Sequence, residues 1–302
     1  ELGNALHDDA VKTNLVPQYG EKVIEQDVVM PSKLIITPLG ERVIDFGQNL
    51  SGYAEIRING NFGEKVAISH AEVLDKDGNF YTKNLRSAKQ KNVYILSGNG
   101  TEILKPTFTW QGFRYIRLDE YPKSEINLND FRAVAVYSDI KRTGGFVCGN
   151  PKINQLYHNV IWGQKSNYID IPTDCPQRDE RYGWLNDYNS RNYELRYNYD
   201  AGKLLKKVVR DIADTQGENG EIADTAPFHI GQSPADPICV AFQLFSVENY
   251  VLRGDADTAK KYLPKMIKWV EYLKNRSSGN LLSYSYYGDW VTPYPIDDKN
   301  TK

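Results

Sequence analysis

Hydrophobic and polar positions change their rhythm once along this chain. From about residue 28 to 138 the apolar residues fall in short runs: KLIITPLG, ERVIDFG, YAEIRING, EKVAISHAEVL, KNVYILSG and RYIRLDEY. These runs are rich in Val, Ile and Tyr and are separated by Gly, Asn and Pro, a texture that predicts strands and turns. In YAEIRI, Ala54, Ile56 and Ile58 alternate with Glu55 and Arg57. That is the pattern of a half-buried antiparallel strand with its apolar residues inward. Many short strands at this spacing predict a β-sandwich over residues 28–143. Residues 1–27 read as an extended lead-in with no assigned element.

The rhythm turns helical after Gly144-Gly145, and residues 144–302 form the second unit. Asn150-Pro151 supplies an N-cap followed by proline at the first helical position. After it, Ile153, Leu156, Tyr157, Val160 and Ile161 recur at helical spacing. A second helix is predicted from about Ser190 to Thr215, with Leu204, Leu205, Val208, Val209 and Ile212 on one face. A third runs from about Ile238 to Leu252 and stops before Gly254. Asp255 can cap a fourth, carrying Tyr262, Leu263, Met266, Ile267, Trp269, Val270 and Leu273. The last two read as an αα-hairpin with a very short link. Four long helices can close a bundle, or they can form part of a larger helical toroid with apolar faces left open.

Composition narrows the partners. The 37 basic and 39 acidic residues leave a formal charge of −2, so no global field favours nucleic acid or an anionic membrane. No run approaches the length of a transmembrane span. Cys148, Cys175 and Cys239 lie far apart, and His70, His158 and His229 are isolated, so no metal-ligand spacing is present and no cofactor is implied. There is no glycine-rich phosphate loop. For His158, packing with one hydrogen bond is expected; His229, in APFHIG, lies on the side where a site would be. The chain starts at Glu1 without a targeting segment, which leaves periplasm and cytoplasm of a bacterium both open. The 21 Tyr and 5 Trp fit a carbohydrate ligand, whose ring faces stack on aromatics, although most such residues fill cores.

The candidate chemistry concentrates in IPTDCPQRDERYGWLND, residues 171–187. Pro172 and Pro176 forbid a helix across its first half, so its carboxylates sit on a loop between helical segments. Hydrolysis of a glycosidic bond needs one carboxylic acid for the leaving oxygen and a second carboxylate as base or nucleophile. Arginines can clamp carboxylates and sugar hydroxyls through forked hydrogen bonds, and a Trp can stack on a sugar ring. The competing reading is a solvated loop of Arg–carboxylate pairs, and spacing alone does not separate the two.

The segment resembles the signature of bacterial α-L-rhamnosidases, D-C-P-Q-R-D-E-R-x-G-W-x-G-D. The stretch from VIDFGQNLSGYAEIRING to YTKNLRSA, with FTWQGFRYIRL, resembles the β-sandwich that precedes the catalytic domain in that family. YNYD, GEIADTAP and YGDW resemble landmarks of its helical domain. The resemblance implies an N-terminal antiparallel β-sandwich followed by an (α/α)6 barrel of the six-hairpin glycosidase type, acting on a rhamnose-containing oligosaccharide or glycoside by inversion. It implies Glu180 as general acid, with Asp174 and Asp187 binding rhamnose hydroxyls. Arg178 and Trp184 fall on substrate-contacting positions, and Trp290 on a wall of the sugar pocket. For Asp179 it supports a site-lining or structural role, and Cys175 is expected to be a buried small side chain.

Three departures qualify the resemblance. Asn186 stands where the family has Gly. QSPADPICVAF lacks the Trp that often follows its Ser-Pro. The family's base is a Glu near the far end of the barrel, and none of Glu218, Glu221, Asp236 or Asp289 falls on its position. The expectation is therefore an incomplete barrel, a chain nearly inactive by itself and an exposed apolar surface. A glycosidase of altered sugar preference and a non-catalytic carbohydrate-binding protein are the other readings.

Overall fold

The structure, a computed structural model, describes residues 16–288. Trp290 and Asp289 lie outside the described residues. Eight strands precede the helices: β1 (Val23–Val29), β2 (Lys33–Ile36), β3 (Arg42–Asn59), β4 (Lys65–Ala71), β5 (Lys91–Ile95), β6 (Thr101–Leu104), β7 (Gln111–Glu120) and β8 (Phe131–Ser138). They form one antiparallel sheet in the order β1-β8-β3-β7-β4-β5, with β2 and β6 also paired to β3. Strand β3 holds this curled sheet together. Its first residues pair with β2 and β7, and after an irregularity between Asp45 and Leu50 it continues along β7, then β8 and β6. Such a break bends a strand and increases its twist. The Arg114 guanidinium forks onto the Asp45 carboxylate there, at 2.8 and 2.9 Å.

Ala54, Ile56 and Ile58 are buried as the alternation predicts, in a core with Ile44, Leu50, Phe113, Ile116 and Phe131. Arg57 faces solvent. Glu55, expected outward, is also covered, because Arg132 opposite it on β8 pairs with it at 2.6 Å. Part of the unassigned lead-in is strand β1. Most of its residues are exposed or half-buried, so no apolar alternation marked it in the sequence.

The helical part comprises α1 (Pro151–Asn167), α2 (Leu185–Asn198), α3 (Gly202–Asp214), α4 (Ala241–Arg253) and α5 (Ala256–Asn275), with a two-residue pair β9 (Tyr168–Ile169) and β10 (Ile171–Pro172) after α1. Asn150 caps α1 by accepting the Lys152 amide at 3.0 Å, and Pro151 opens it. Ile161 is buried on α1, while Ile153 and Leu156 are exposed. The single helix expected over Ser190–Thr215 is two helices. Tyr199 is extended and bridges Arg142, and the Asp200 amide donates to the Lys141 carbonyl at 2.8 Å, so the backbone leaves the helix to pair with the incoming chain. The predicted face of α3 is buried as a whole. Gly254, left-handed at φ 69°, ends α4, and Asp255 accepts the Thr258 amide to start α5.

Helix α5 is apolar on two sides. Met266 and Trp269 face the helical core. Leu263, Ile267 and Val270 stand exposed beside Val247 and Tyr250 of α4, lining an apolar groove of about 520 Å³. The two parts of the chain meet along α1. Trp162 packs on the sheet core, the Ser51 hydroxyl donates to the Ser166 carbonyl at 2.8 Å, and Lys165 pairs with Asp27 at 2.7 Å.

Candidate active site

The charged loop between β10 and α2 is closed on itself. The Asp174 amide donates to the Tyr182 carbonyl at 3.1 Å, and the Tyr182 amide donates back to Asp174 Oδ1 at 2.9 Å. Trp184 then bridges Thr225, and the Leu185 amide donates to the Asp224 carbonyl, which fixes the start of α2. Gly183 is required at this crossing, since a Cβ would stand 2.1 Å from the Tyr188 hydroxyl oxygen and 2.3 Å from the Ala226 carbonyl oxygen.

Within the loop, Arg178 joins the carboxylates. Its Nη2 lies 3.5 Å from Asp174 Oδ2 and 3.4 Å from Glu180 Oε2, and its Nε donates to Cys175 Sγ at 3.4 Å. Asp174, Cys175 and Glu180 bring one ligand atom each within 4.8 Å of one another, and the Arg178 guanidinium supplies positive charge to all three. Cys175 is buried and its thiol is pushed up chiefly by that burial, so it is a poor nucleophile. Glu180 Oε1 accepts the Trp184 indole N–H at 2.9 Å, and its Oε2 accepts Arg86 Nη1 at 2.9 Å. The Asp174 side chain is only 7% exposed. Asp187, in the first turn of α2, pairs with Arg191 at 3.3 Å. Burial raises its carboxyl, Arg191 opposes that, and the Asp174 and Glu180 charges add to the rise. Asn186, beside it, is exposed.

Asp174, Arg178, Glu180, Trp184 and Asp187, singled out in the sequence, thus come together on one loop and helix start. Sequence reading missed the contribution of the sheet domain. Ser87 donates through its amide (3.2 Å) and its hydroxyl to the Asp179 carboxylate. That hydrogen bonding holds the Asp179 carboxyl below the usual carboxylate range. The Gln90 side chain donates to the Gln177 carbonyl at 2.5 Å. Arg181 lies over the Trp110 ring, 4.0 Å from its centre, and donates to the Trp110 carbonyl at 3.0 Å. Arg86 and Ser87 belong to the stretch YTKNLRSA, but nothing in local pattern points them at a loop some ninety residues away.

Two further walls come from the helical part. Tyr287 sets its ring edge-on to Trp184, with centres 5.5 Å apart. The segment that carries it is held by Asp236, which accepts the Ser285 hydroxyl at 2.6 Å and the Tyr286 and Tyr287 amides at 2.9 and 3.3 Å. The stretch that lacks the family's Trp therefore anchors an aromatic from elsewhere. His229 is exposed, and its ring lies 5.4 Å from that of Tyr182. His158 is exposed as well, hydrogen-bonded to Gln48 at 2.8 Å. Between the sheet, α1 and the loop runs a polar cleft of about 580 Å³, lined among others by Asn49, Glu72, Asn159, Asp174 and Arg178.

A sheet domain is thus docked on a carboxylate- and aromatic-lined loop of a helical domain. Residues 141–302 match the bacterial α-L-rhamnosidase six-hairpin glycosidase domain, and residues 36–137 match the concanavalin-like domain of the same proteins. The chain belongs to the bacterial α-L-rhamnosidase family. It is 34% identical over 280 residues to an α-L-rhamnosidase of Streptomyces avermitilis, covering 90% of this chain and 26% of that protein. A relative from Formosa agariphila, also named α-L-rhamnosidase, is 32% identical over 282 residues, covering 92% and 30%. The structure of α-L-rhamnosidase from Dictyoglumus thermophilum superposes with a TM-score of 0.87 at 35% identity, covering 92% of this chain and 32% of that one. The Streptomyces avermitilis enzyme complexed with L-rhamnose gives 0.87 at 33% identity, covering 92% and 27%. The chain thus spans roughly a quarter to a third of the length of these relatives.

Proposed function

We propose that this chain carries the acid side of a glycoside hydrolase site that releases terminal α-L-rhamnose from rhamnosylated glycans or glycosides by single displacement with inversion. The observation that carries the reading is the place of Glu180 in the signature loop of a chain that matches the rhamnosidase six-hairpin domain, where Trp184, Arg86 and Arg178 orient its carboxylate. In this reading Glu180 donates its proton to the leaving oxygen. Asp174, Arg178 and Asp187 hydrogen-bond the sugar hydroxyls, and Trp184, with Trp290, forms the walls of the pocket. Residues 28–143 act as the sheet domain, and residues 144–302 contribute to an (α/α)6 barrel.

Asp174 has its carboxylate close to that of Glu180, and it does not suit the second catalytic role. Its oxygen lies within 4.8 Å of that of Glu180, closer than the roughly 6.5–9.5 Å that leaves room for an attacking water. It is also buried, tied to the Tyr182 amide and paired with Arg178, which disfavours it as a nucleophile. A fixed acceptor for hydroxyls is the role its setting supports. The resemblance assigns the base to a Glu in a later barrel loop, a position not represented in residues 1–302, so binding without efficient turnover is expected of this chain.

Calorimetry with L-rhamnose tests the reading. The wild-type chain should bind, Glu180→Gln should retain binding, and Asp174→Ala should lose at least about tenfold, as when a buried hydrogen-bonding group loses its partner. Failure of the wild type to bind L-rhamnose, or full affinity in Asp174→Ala, would overturn it. Turnover of an aryl α-L-rhamnoside at ordinary glycosidase rates would overturn the placement of the base.

A further inference from the structure

We propose that Arg86, from the sheet domain, is a positioning residue for Glu180, so that the active centre is built by both domains. The proposal rests on Glu180 being the acid, and it goes beyond that reading by giving the sheet domain a part in the chemistry. Three observations carry it.

The first is contact. Arg86 Nη1 meets Glu180 Oε2 at 2.9 Å, closer than Arg178 at 3.4 Å, while the opposite oxygen is taken by Trp184. A glutamate has three rotatable side-chain bonds, and an acid must present its proton at one point. A donor on each oxygen, from two different domains, removes that freedom.

The second is backbone conformation. Arg86 lies at φ 57° and ψ −121°, in the half of the map that non-glycine residues rarely enter. The turn is anchored by the buried Leu85, and the Ala88 amide donates to the Leu85 carbonyl at 3.1 Å. An arginine that only decorated a surface turn would relax to an ordinary conformation. Strain of this kind persists where the surroundings over-determine it, and it clusters at functional sites.

The third is registration. The next residue, Ser87, grips Asp179 through both its amide and its hydroxyl, so consecutive residues of the turn hold consecutive carboxylates of the loop. Asp179 thereby serves as the anchor, which leaves Glu180 the group that is aimed.

The test reads the Trp184 indole N–H in a ¹⁵N–¹H NMR spectrum of the 302-residue chain, with the peak identified by Trp184→Phe. Glu180→Gln should move this peak upfield by removing its carboxylate acceptor. Arg86→Gln should move or broaden it, because Glu180 is no longer held. Arg86→Lys should return it towards the wild-type position, and Ser87→Ala, which loosens the same turn without touching Glu180, should leave it in place. A wild-type peak in Arg86→Gln would overturn the proposal. Equal displacement in Ser87→Ala and Arg86→Gln would also overturn it, since that is what mere docking of the turn predicts. Retention of the other indole peaks shows that each variant is folded, and if Arg86→Gln loses them, the Arg86→Lys peak decides. L-rhamnose binding by the wild type is a separate reading, so failure of the functional assignment is distinguishable from failure of this one.

Discussion

A Cβ on Gly112 of β7 would stand 2.9 Å from the Pro176 carbonyl carbon, so the sheet and the charged loop meet backbone to backbone. Neither side can retreat easily, because Gly112 lies in the β3–β7 ladder and the loop is closed by the Asp174–Tyr182 bonds. Gly112→Ala should therefore force a backbone shift costing about 1–3 kcal/mol, the usual range for overpacking. A lowered melting temperature and weaker L-rhamnose binding are expected together. An unchanged melt with unchanged affinity would show that the two backbones are free to separate.

If Asp187 binds rhamnose as proposed, it should give that binding a pH dependence. Burial raises its carboxyl above the ordinary range, and Arg191 limits the rise. An ionised carboxylate accepts hydroxyl hydrogen bonds at both oxygens, and protonation removes part of that capacity. Affinity should be full above the raised value and should fall as the pH drops through it, at a higher pH than for an exposed aspartate. Arg191→Gln removes the opposing cation, so the midpoint should move to higher pH. Calorimetric titrations from pH 7 downward would show this, and a midpoint that moves the other way would contradict it.

Asp236 fixes the segment that carries Tyr287. Burial works to raise its carboxyl, but hydrogen bonds from Ser285 and from the Tyr286 and Tyr287 amides outweigh it and hold the group low. A depressed carboxyl stabilises the fold above its unfolded value, and that stability is lost as the pH falls through the folded value. In Asp236→Ala the one oxygen that accepts all three hydrogen bonds is removed, so the whole set is lost, at a cost of about 1–3 kcal/mol. Chymotrypsin should then cut at Tyr286 or Tyr287 faster than in the wild type. Equal cleavage rates would mean that the segment is held by other contacts.

How much of this was legible in the sequence depended on whether a residue's partner was near in the chain. The apolar face of α3, the cap at Asn150 and the Gly254–Asp255 link are local, and all three could be read directly. The break between α2 and α3 is not local. Tyr199 leaves the helix for a partner at Arg142, and nothing in the intervening pattern announces that bridge. The same holds at the site. Asp174 through Asp187 were visible as one signature, whereas Arg86, Ser87, Gln90 and Trp110 reach the loop only because the sheet folds back on it. Glu55 read as an outward strand residue because its cross-strand partner, Arg132, is far away in sequence.

His70 should give the sheet domain an acid-sensitive stability. The ring is fully buried on β4, with Nδ1 against the Gln90 carbonyl at 2.9 Å and an edge-on Phe113 ring 4.9 Å away. Burial depresses its pKa to about 4, against 6.5 when unfolded. Between those values the unfolded chain takes up a proton that the folded chain refuses, so stability falls as the pH drops from 6.5 towards 4 and levels off below. The loss is at most about 3.5 kcal/mol, since each tenfold difference in proton affinity between the two states is worth roughly 1.4 kcal/mol. Carboxyls raised by burial, Asp187, Glu194 and Asp211 among them, act in the opposite sense, since the folded state holds their protons more tightly. The measure is therefore the difference between wild type and His70→Gln in urea unfolding at pH 7 and pH 4. The variant should lose less stability than the wild type on acidification, and because Gln90 also holds the charged loop, the wild type should lose L-rhamnose affinity alongside. Identical losses in the two proteins would remove His70 as the cause.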